Sequence, residues 1–194
     1  MAPSNAPPPA DALDPRVVRT RRDVLDATVQ ELVNGGWDAV THARVAARAG
    51  YAKATLYAHW PDRLALVSDA FAAFGGMPHH EPTGDLRQDL IGELVSFRSA
   101  MVEHRLDRAL AVLAERASAG QEVVEIRNAF VEDGERPLRQ LLTPLLAPPA
   151  RDAATLMLCG AVLHSVLMHG QPPSDEVIAS AVDLVLAGLP DVAG

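Results

Sequence analysis

A chain of 194 residues with 48% hydrophobic side chains holds enough apolar material for one medium domain, or for a small domain joined to a larger one, and this excludes wholesale disorder. Aromatic residues make up only 4%, so the core is aliphatic, which suits helix packing better than an aromatic-rich sandwich. The net charge of −8 argues against nucleic acid when taken alone, and the single cysteine, Cys159, excludes an intramolecular disulfide.

Residues 1–14, "MAPSNAPPPADALD", are rich in Pro and Ala and lack periodicity, and are expected to form a disordered tail. There is no basic start followed by an apolar run, so no signal peptide is expected. The apolar stretches are interrupted by His, Gly, Asp or Arg, so no membrane span is expected and the location is expected to be cytoplasmic.

From Arg16 onward the pattern becomes helical. Val24, Leu25, Thr28, Leu32 and Val33 recur at three- and four-residue spacing, and "NGGW" ends that helix. A second helix opens at Thr41, a good N-cap, turns Val45, Ala46 and Ala49 inward and stops at Gly50. A third, short helix is predicted over 52–59. Pro61 breaks it, and Asp62 caps a fourth helix through Phe74. "GGMPHHEPTGD" reads as a loop. Further helices are predicted near 85–103, 106–118, 121–146, 150–169 and 174–188. With no strand alternation and no repeat, the fold class is all-α.

Helix, tight turn with glycine, helix is the helix-turn-helix arrangement, whose second helix enters the DNA major groove. Such a helix needs an apolar rear and a donor-rich front. In "AGYAKATLYAHWPDR" Leu56 is the rear, and Lys53, Thr55, Tyr57 and His59 supply the front. Arg63 and Thr41, each at a helix start, are placed to hold phosphates, with Arg44 beside them. Tyr57 would also serve as a core aromatic, His59 as a packed histidine, and Arg44 and Arg48 as solvated charges. Between Pro15 and Arg63, eight basic residues face five acids, so the DNA-reading end is locally basic in an acidic chain. Arg16, Arg19, Arg21 and Arg22 fit either an arm reaching DNA or a solvated helix start.

Residues 24–66 resemble the DNA-binding domain of the TetR family of bacterial transcriptional regulators. The resemblance is carried by Val24-Leu25-Asp26-Ala27, Gly36-Trp37, Thr41, Ala46, Ala49-Gly50, Thr55-Leu56-Tyr57, His59-Trp60 and Arg63 before Leu64. It departs at Tyr51, at Ala52, where the family has a capping serine, and at Ala54, one of positions 53–55 where operator preference would be set. The resemblance implies an N-terminal helix-turn-helix domain, here 15–65. It also implies a helical domain over 66–194, about nine helices in all, that binds a small effector and dimerises.

Two apolar helices offer a dimer surface, because a helix apolar on every side must be covered on every side. The interface residues expected there are Leu156, Gly160, Leu163 and Leu167 on one helix, and Ile178, Val182 and Val185 on the next. Phe97, Met101, Met157, His164 and Met168 are candidates to line the effector pocket that the resemblance implies, although each suits a plain core equally well. Cys159 reads as inert core. His79 and His80 have no Cys or carboxylate cluster at ligand spacing, so neither metal nor cofactor is expected.

The absence of a Gly-rich phosphate loop, GxSxG or HExxH argues against an enzyme. The function expected is a homodimeric repressor released from a palindromic operator by a small molecule. The alternative is a helix-turn-helix protein that acts through protein contacts without DNA.

Overall fold

A computed structural model of the chain describes residues 15–74, 79–118 and 120–189; the tail expected over 1–14 lies outside them. The described residues form nine α-helices and no strand. These are α1 (Pro15–Gly35), α2 (His42–Ala49), α3 (Lys53–His59), α4 (Arg63–Phe74), α5 (Leu86–Glu103), α6 (Leu106–Arg116), α7 (Gln121–Leu142), α8 (Pro148–His169) and α9 (Asp175–Ala187). The boundaries follow the caps. Thr41 Oγ1 accepts from the Arg44 amide, Asp85 from that of Gln88, and Ser174 from that of Val177, so each satisfies an orphan donor of a first turn. Gly50 ends α2 at φ 78°, a left-handed geometry that lets the chain reverse into α3.

Helices α1, α2, α3 and α4 pack around Val24, Leu32, Val45, Leu56, Trp60 and Leu66, all essentially buried. Trp60 is pinned by its Nε1–H donating to Asp69 at 2.8 Å, so the large ring is buried without an unsatisfied donor. Leu56 is the rear anchor the sequence called for, and truncating it to Ala would cost about 2–5 kcal/mol.

The same core continues into α5–α9 through Leu90, Leu94, Leu106, Leu113, Leu138, Leu142, Leu158 and Val162. Phe71 on α4 meets Phe130 on α7 edge to face, with centroids 5.3 Å apart. Pro137 lies inside α7 and removes one of its backbone hydrogen bonds.

One short element lies outside the expected helices. The turn after α1 contains a short 3-10 helix, Trp37–Ala39, that the sequence reading left out. By length and composition alone α8 would pass for a membrane span, a test that the core helices of folded domains pass as well, so the expectation of no span is not overturned.

Candidate nucleic-acid interface and apolar cavity

The chain reversal at Gly50 sets α3 across α2, and the exposed front of α3 carries Lys53, Ala54, Tyr57 and His59, with Thr55 half-buried. Leu56 points the other way, into the core. Tyr57 is held, not loose. Its ring stacks on His42 with centroids 4.1 Å apart and 7° between planes, and His42 is itself fixed by Nε2 at 2.7 Å from the Trp60 carbonyl. The ammonium of Lys53 sits 5.4 Å from the Tyr57 ring centroid, a cation–π contact that orients it.

Thr41, Lys53, Tyr57 and Arg63 come together around one open concavity between the start of α2, the face of α3 and the start of α4. Val40, His42, Ala43, Pro61 and Asp62 complete its wall; none was expected at the interface, Pro61 and Asp62 being expected only to end one helix and cap the next. Their signal was adjacency: all lie at or within two residues of the caps Thr41 and Asp62. Asp62 Oδ1 accepts from the Ala65 amide at 2.8 Å, so one N–H of the α4 first turn is already used. Thr41 Oγ1 accepts from Arg44, which leaves its hydroxyl hydrogen free to donate outward.

The arginines are placed differently from Lys53. Arg44 and Arg48 both pair with the buried Glu31, at 2.8 and 2.6 Å. Burial pushes the Glu31 carboxyl up, but hydrogen bonds from Arg48 and Arg44, with their charges, outweigh this and hold it below the usual range. Arg63 donates to the Trp37 carbonyl at 3.4 Å and to Asp38 at 3.2 Å, and Asp38 also accepts from Arg116 of α6 at 3.0 Å. Of the eight basic side chains of the head, Lys53 carries no acidic partner among the described residues. Tyr51 donates to Asp23 at 2.8 Å, so this departure from the family pattern ties the turn to α1.

Residues 24–70 match the family described as bacterial regulatory proteins, tetR family. The chain is 28% identical over 173 residues to an uncharacterised HTH-type transcriptional regulator of Mycobacterium bovis, covering 84% of each chain. The fold is similar to the crystal structure of a transcriptional regulator from Rhodococcus sp. Rha1, with TM-score 0.72, 17% identity, and 90% and 99% of the two chains covered. It is also similar to that of FadR from Bacillus subtilis in complex with stearoyl-CoA, with TM-score 0.67, 15% identity, and 87% and 99% covered. The chain therefore carries a TetR-family DNA-binding domain at residues 24–70. It is a DNA-binding helix-turn-helix transcriptional regulator.

In the same chain, α5, α6, α7 and α8 enclose a cavity of about 280 Å³. Its wall is mostly apolar, with Phe97, Leu106, Leu110, Phe130, Leu138 and Leu163 prominent. Of the five residues expected around an effector, Phe97 lines it. Met101 is buried but does not line it. Met157, His164 and Met168 lie on the exposed side of α8, away from the cavity. On a helix apolar all round, spacing alone cannot say which stripe turns inward. Cys159 lines the cavity, and burial pushes its thiol up to about 12, the direction that disfavours the reactive thiolate.

The expected dimer surface is corrected in the same way. Ile178, Val182 and Val185 are 1%, 0% and 8% exposed within a single chain, so they belong to its own core. Leu163 lines the cavity, and Leu167 borders it while remaining 45% exposed, so Leu167 keeps an outward place. Leu156 and Gly160 keep an outward place, the latter partly covered. The apolar residues that face outward are Leu156, Met157, Met168 and Leu184, between 61% and 74% exposed, together with Val177.

His79 and His80 form no metal cluster with other ligands among the described residues. They fasten the segment before α5 onto that helix. His79 Nδ1 lies 3.1 Å from Glu93, and His80 Nε2 lies 3.2 Å from Asp89.

Proposed function

We propose that this regulator is a homodimeric repressor that binds a palindromic operator through α3 and leaves it when a small molecule fills the cavity between α5, α6, α7 and α8. Residues 15–65 serve as the reading head and the remainder as the effector and dimerisation domain. The observation that carries this reading is the apolar cavity: a folded core at native density has no reason to keep such a space unless a ligand fills it. FadR, a neighbour in fold, is in complex with stearoyl-CoA, which supports a small-molecule ligand for this chain as well.

Lys53, Thr55, Tyr57 and His59 contact base edges and phosphates. Thr41 and Arg63 grip the backbone on either side, with Arg63 exchanging Asp38 for a phosphate. Ala54 lets α3 approach the groove closely. The outward stripe of Leu156, Met157, Met168, Val177 and Leu184 pairs with its symmetry mate, a self-complementary contact of the kind that two-fold dimers use. This sets two α3 helices about 34 Å apart, one turn of duplex. A ligand acts by binding the spacing that does not fit the operator better than the one that does.

The test is a mobility-shift titration on duplexes selected from a random pool at moderate salt. A shifted complex that resists random competitor and dissolves on adding a cavity ligand supports the reading. Equal affinity for selected and random duplex contradicts it.

A further inference from the structure

The cavity opens beside a groove along α7 and α8 that contains three arginines, and the two share Arg127, Val131 and Glu135. We infer that the effector is an anionic amphiphile, with an alkyl or similarly apolar tail in the cavity and a single anionic head on Arg127 and Arg151. This rests on the effector reading above and adds the chemical class of the ligand.

The charges around the cavity are already matched, with one exception. Glu93 accepts from the His80 amide at 3.0 Å and contacts His79. Asp133 pairs with Arg136, and Glu135 with Arg139, which also binds Asp152. The Glu135 hydrogen bond raises the Arg139 pKa despite burial, so that guanidinium is fully engaged. Arg127 has no acid: its Nε and Nη2 reach only the side-chain oxygen of neighbouring Asn128, at 3.2 and 2.9 Å. Arg151 donates from Nη1 to Thr143, and its buried Nε lies 3.9 Å from Asp152, near enough for an ion pair but without a hydrogen-bond acceptor among the described residues.

A buried guanidinium donor without an acceptor is costly, and a carboxylate or phosphate matches its fork. The remaining acid of the groove, Glu132, is exposed and solvated. A cationic ligand would find every cavity-facing carboxylate taken, and a neutral one would leave Arg127 and Arg151 as they are.

The tail side is equally specific. On α7, Arg127, Phe130, Val131, Gly134 and Leu138 fall on one face at helical spacing. Gly134 sits mid-helix, where glycine is less favourable than alanine, and a Cβ there would meet nothing within 4 Å. The missing side chain therefore leaves open space instead of relieving a clash. A volume of about 280 Å³ suits a medium chain and is small for a bulky polycyclic ligand.

The experiment is calorimetric titration of the full chain with decanoate, decyl phosphate, decanol and decyltrimethylammonium. Decanoate or decyl phosphate should bind at least about tenfold tighter than decanol, with the cation weakest. Arg127→Gln should reduce the anion's affinity to about that of decanol while leaving decanol unchanged. Gly134→Leu should weaken all four, with circular dichroism showing that both variants fold. If decanol or the cation binds as well as the anions, or if Arg127→Gln leaves decanoate unaffected, the head-group assignment is wrong and the effector reading survives. If no probe binds, both fall.

Discussion

The face-to-face stack of Tyr57 on His42, 4.1 Å between centroids, fixes the most prominent aromatic of the reading helix to the helix behind it. Tyr57 is about half exposed, so the ring has one face on protein and its edge and hydroxyl toward solvent. A side chain fixed in this way loses little entropy on meeting DNA. Replacing His42 with Ala should therefore act twice. It removes the 2.7 Å hydrogen bond to the Trp60 carbonyl, costing about 1–2 kcal/mol of stability, and it frees Tyr57, weakening DNA binding beyond what the stability loss explains. Denaturant melts and operator titrations on the same variant separate the two effects. Unchanged operator affinity would show that the stack is structural only.

Lys53 has no acidic partner among the described residues, so its contact with DNA need not break an ion pair first. Lys53→Ala should reduce the slope of log affinity against log salt by about 1 if the ammonium meets a phosphate. If it meets a guanine instead, about 1–3 kcal/mol of discrimination should vanish at one base pair. A variant indistinguishable from the parent in both slope and selectivity would remove Lys53 from the interface.

The outward stripe of α8 and α9 predicts an assembly. Leu184 is its most exposed residue at 74%, and Leu184→Glu should convert a dimer to a monomer in sedimentation equilibrium with little change in melting temperature. A parent chain already monomeric at micromolar concentration would refute the stripe as a subunit interface.

Asp89 binds the segment before α5 by accepting from the Thr83 amide and hydroxyl, both at 2.7 Å, and from the Gly84 amide. The Thr83 bonds, followed by those of Gly84 and His80, overcome burial and hold its carboxyl below the usual range. A lowered folded pKa stabilises the protein above the unfolded value, about 3.9, and that contribution disappears as pH falls through the folded value. Thermal melts between neutral and acid pH should show this loss, and Asp89→Asn should flatten it. An identical pH profile in the variant would mean that the latch contributes nothing to acid stability.

Gly92 lies directly under this latch, and a Cβ there would overlap the His80 ring. Gly92→Ala should push the ring off α5, destabilise the fold by about 1–3 kcal/mol, and make the segment around His79 and His80 cut faster under limited proteolysis. Proteolysis at the parent's rate would argue that the ring moves aside at no cost.

Much of this architecture could be read from the residues. Helix ends were legible because caps are local: Thr41, Gly50, Asp62 and Ser174 stop or start helices wherever the rest of the chain lies. The front and rear of α3 were legible because one buried Leu56 fixes the rotation of a seven-residue helix. The faces of α8 and α9 were not. When nearly every position is apolar, hydrophobicity carries no phase, so Ile178 and Val182 could not be told from Leu184, nor Leu163 from Met157. The capture of Arg44 and Arg48 by Glu31 was also hidden, because those partners lie 13 and 17 residues apart on crossing helices.

The most direct test of a DNA-reading α3 is the ratio of selected-duplex to random-duplex affinity, measured by fluorescence anisotropy for the parent and for a Lys53→Ala, Tyr57→Ala double variant at one salt concentration. A front that touches base edges predicts that the ratio collapses by about 1–3 kcal/mol per lost base contact, while random-duplex binding falls only slightly. A ratio that stays the same in a variant that still folds and dimerises would contradict the account.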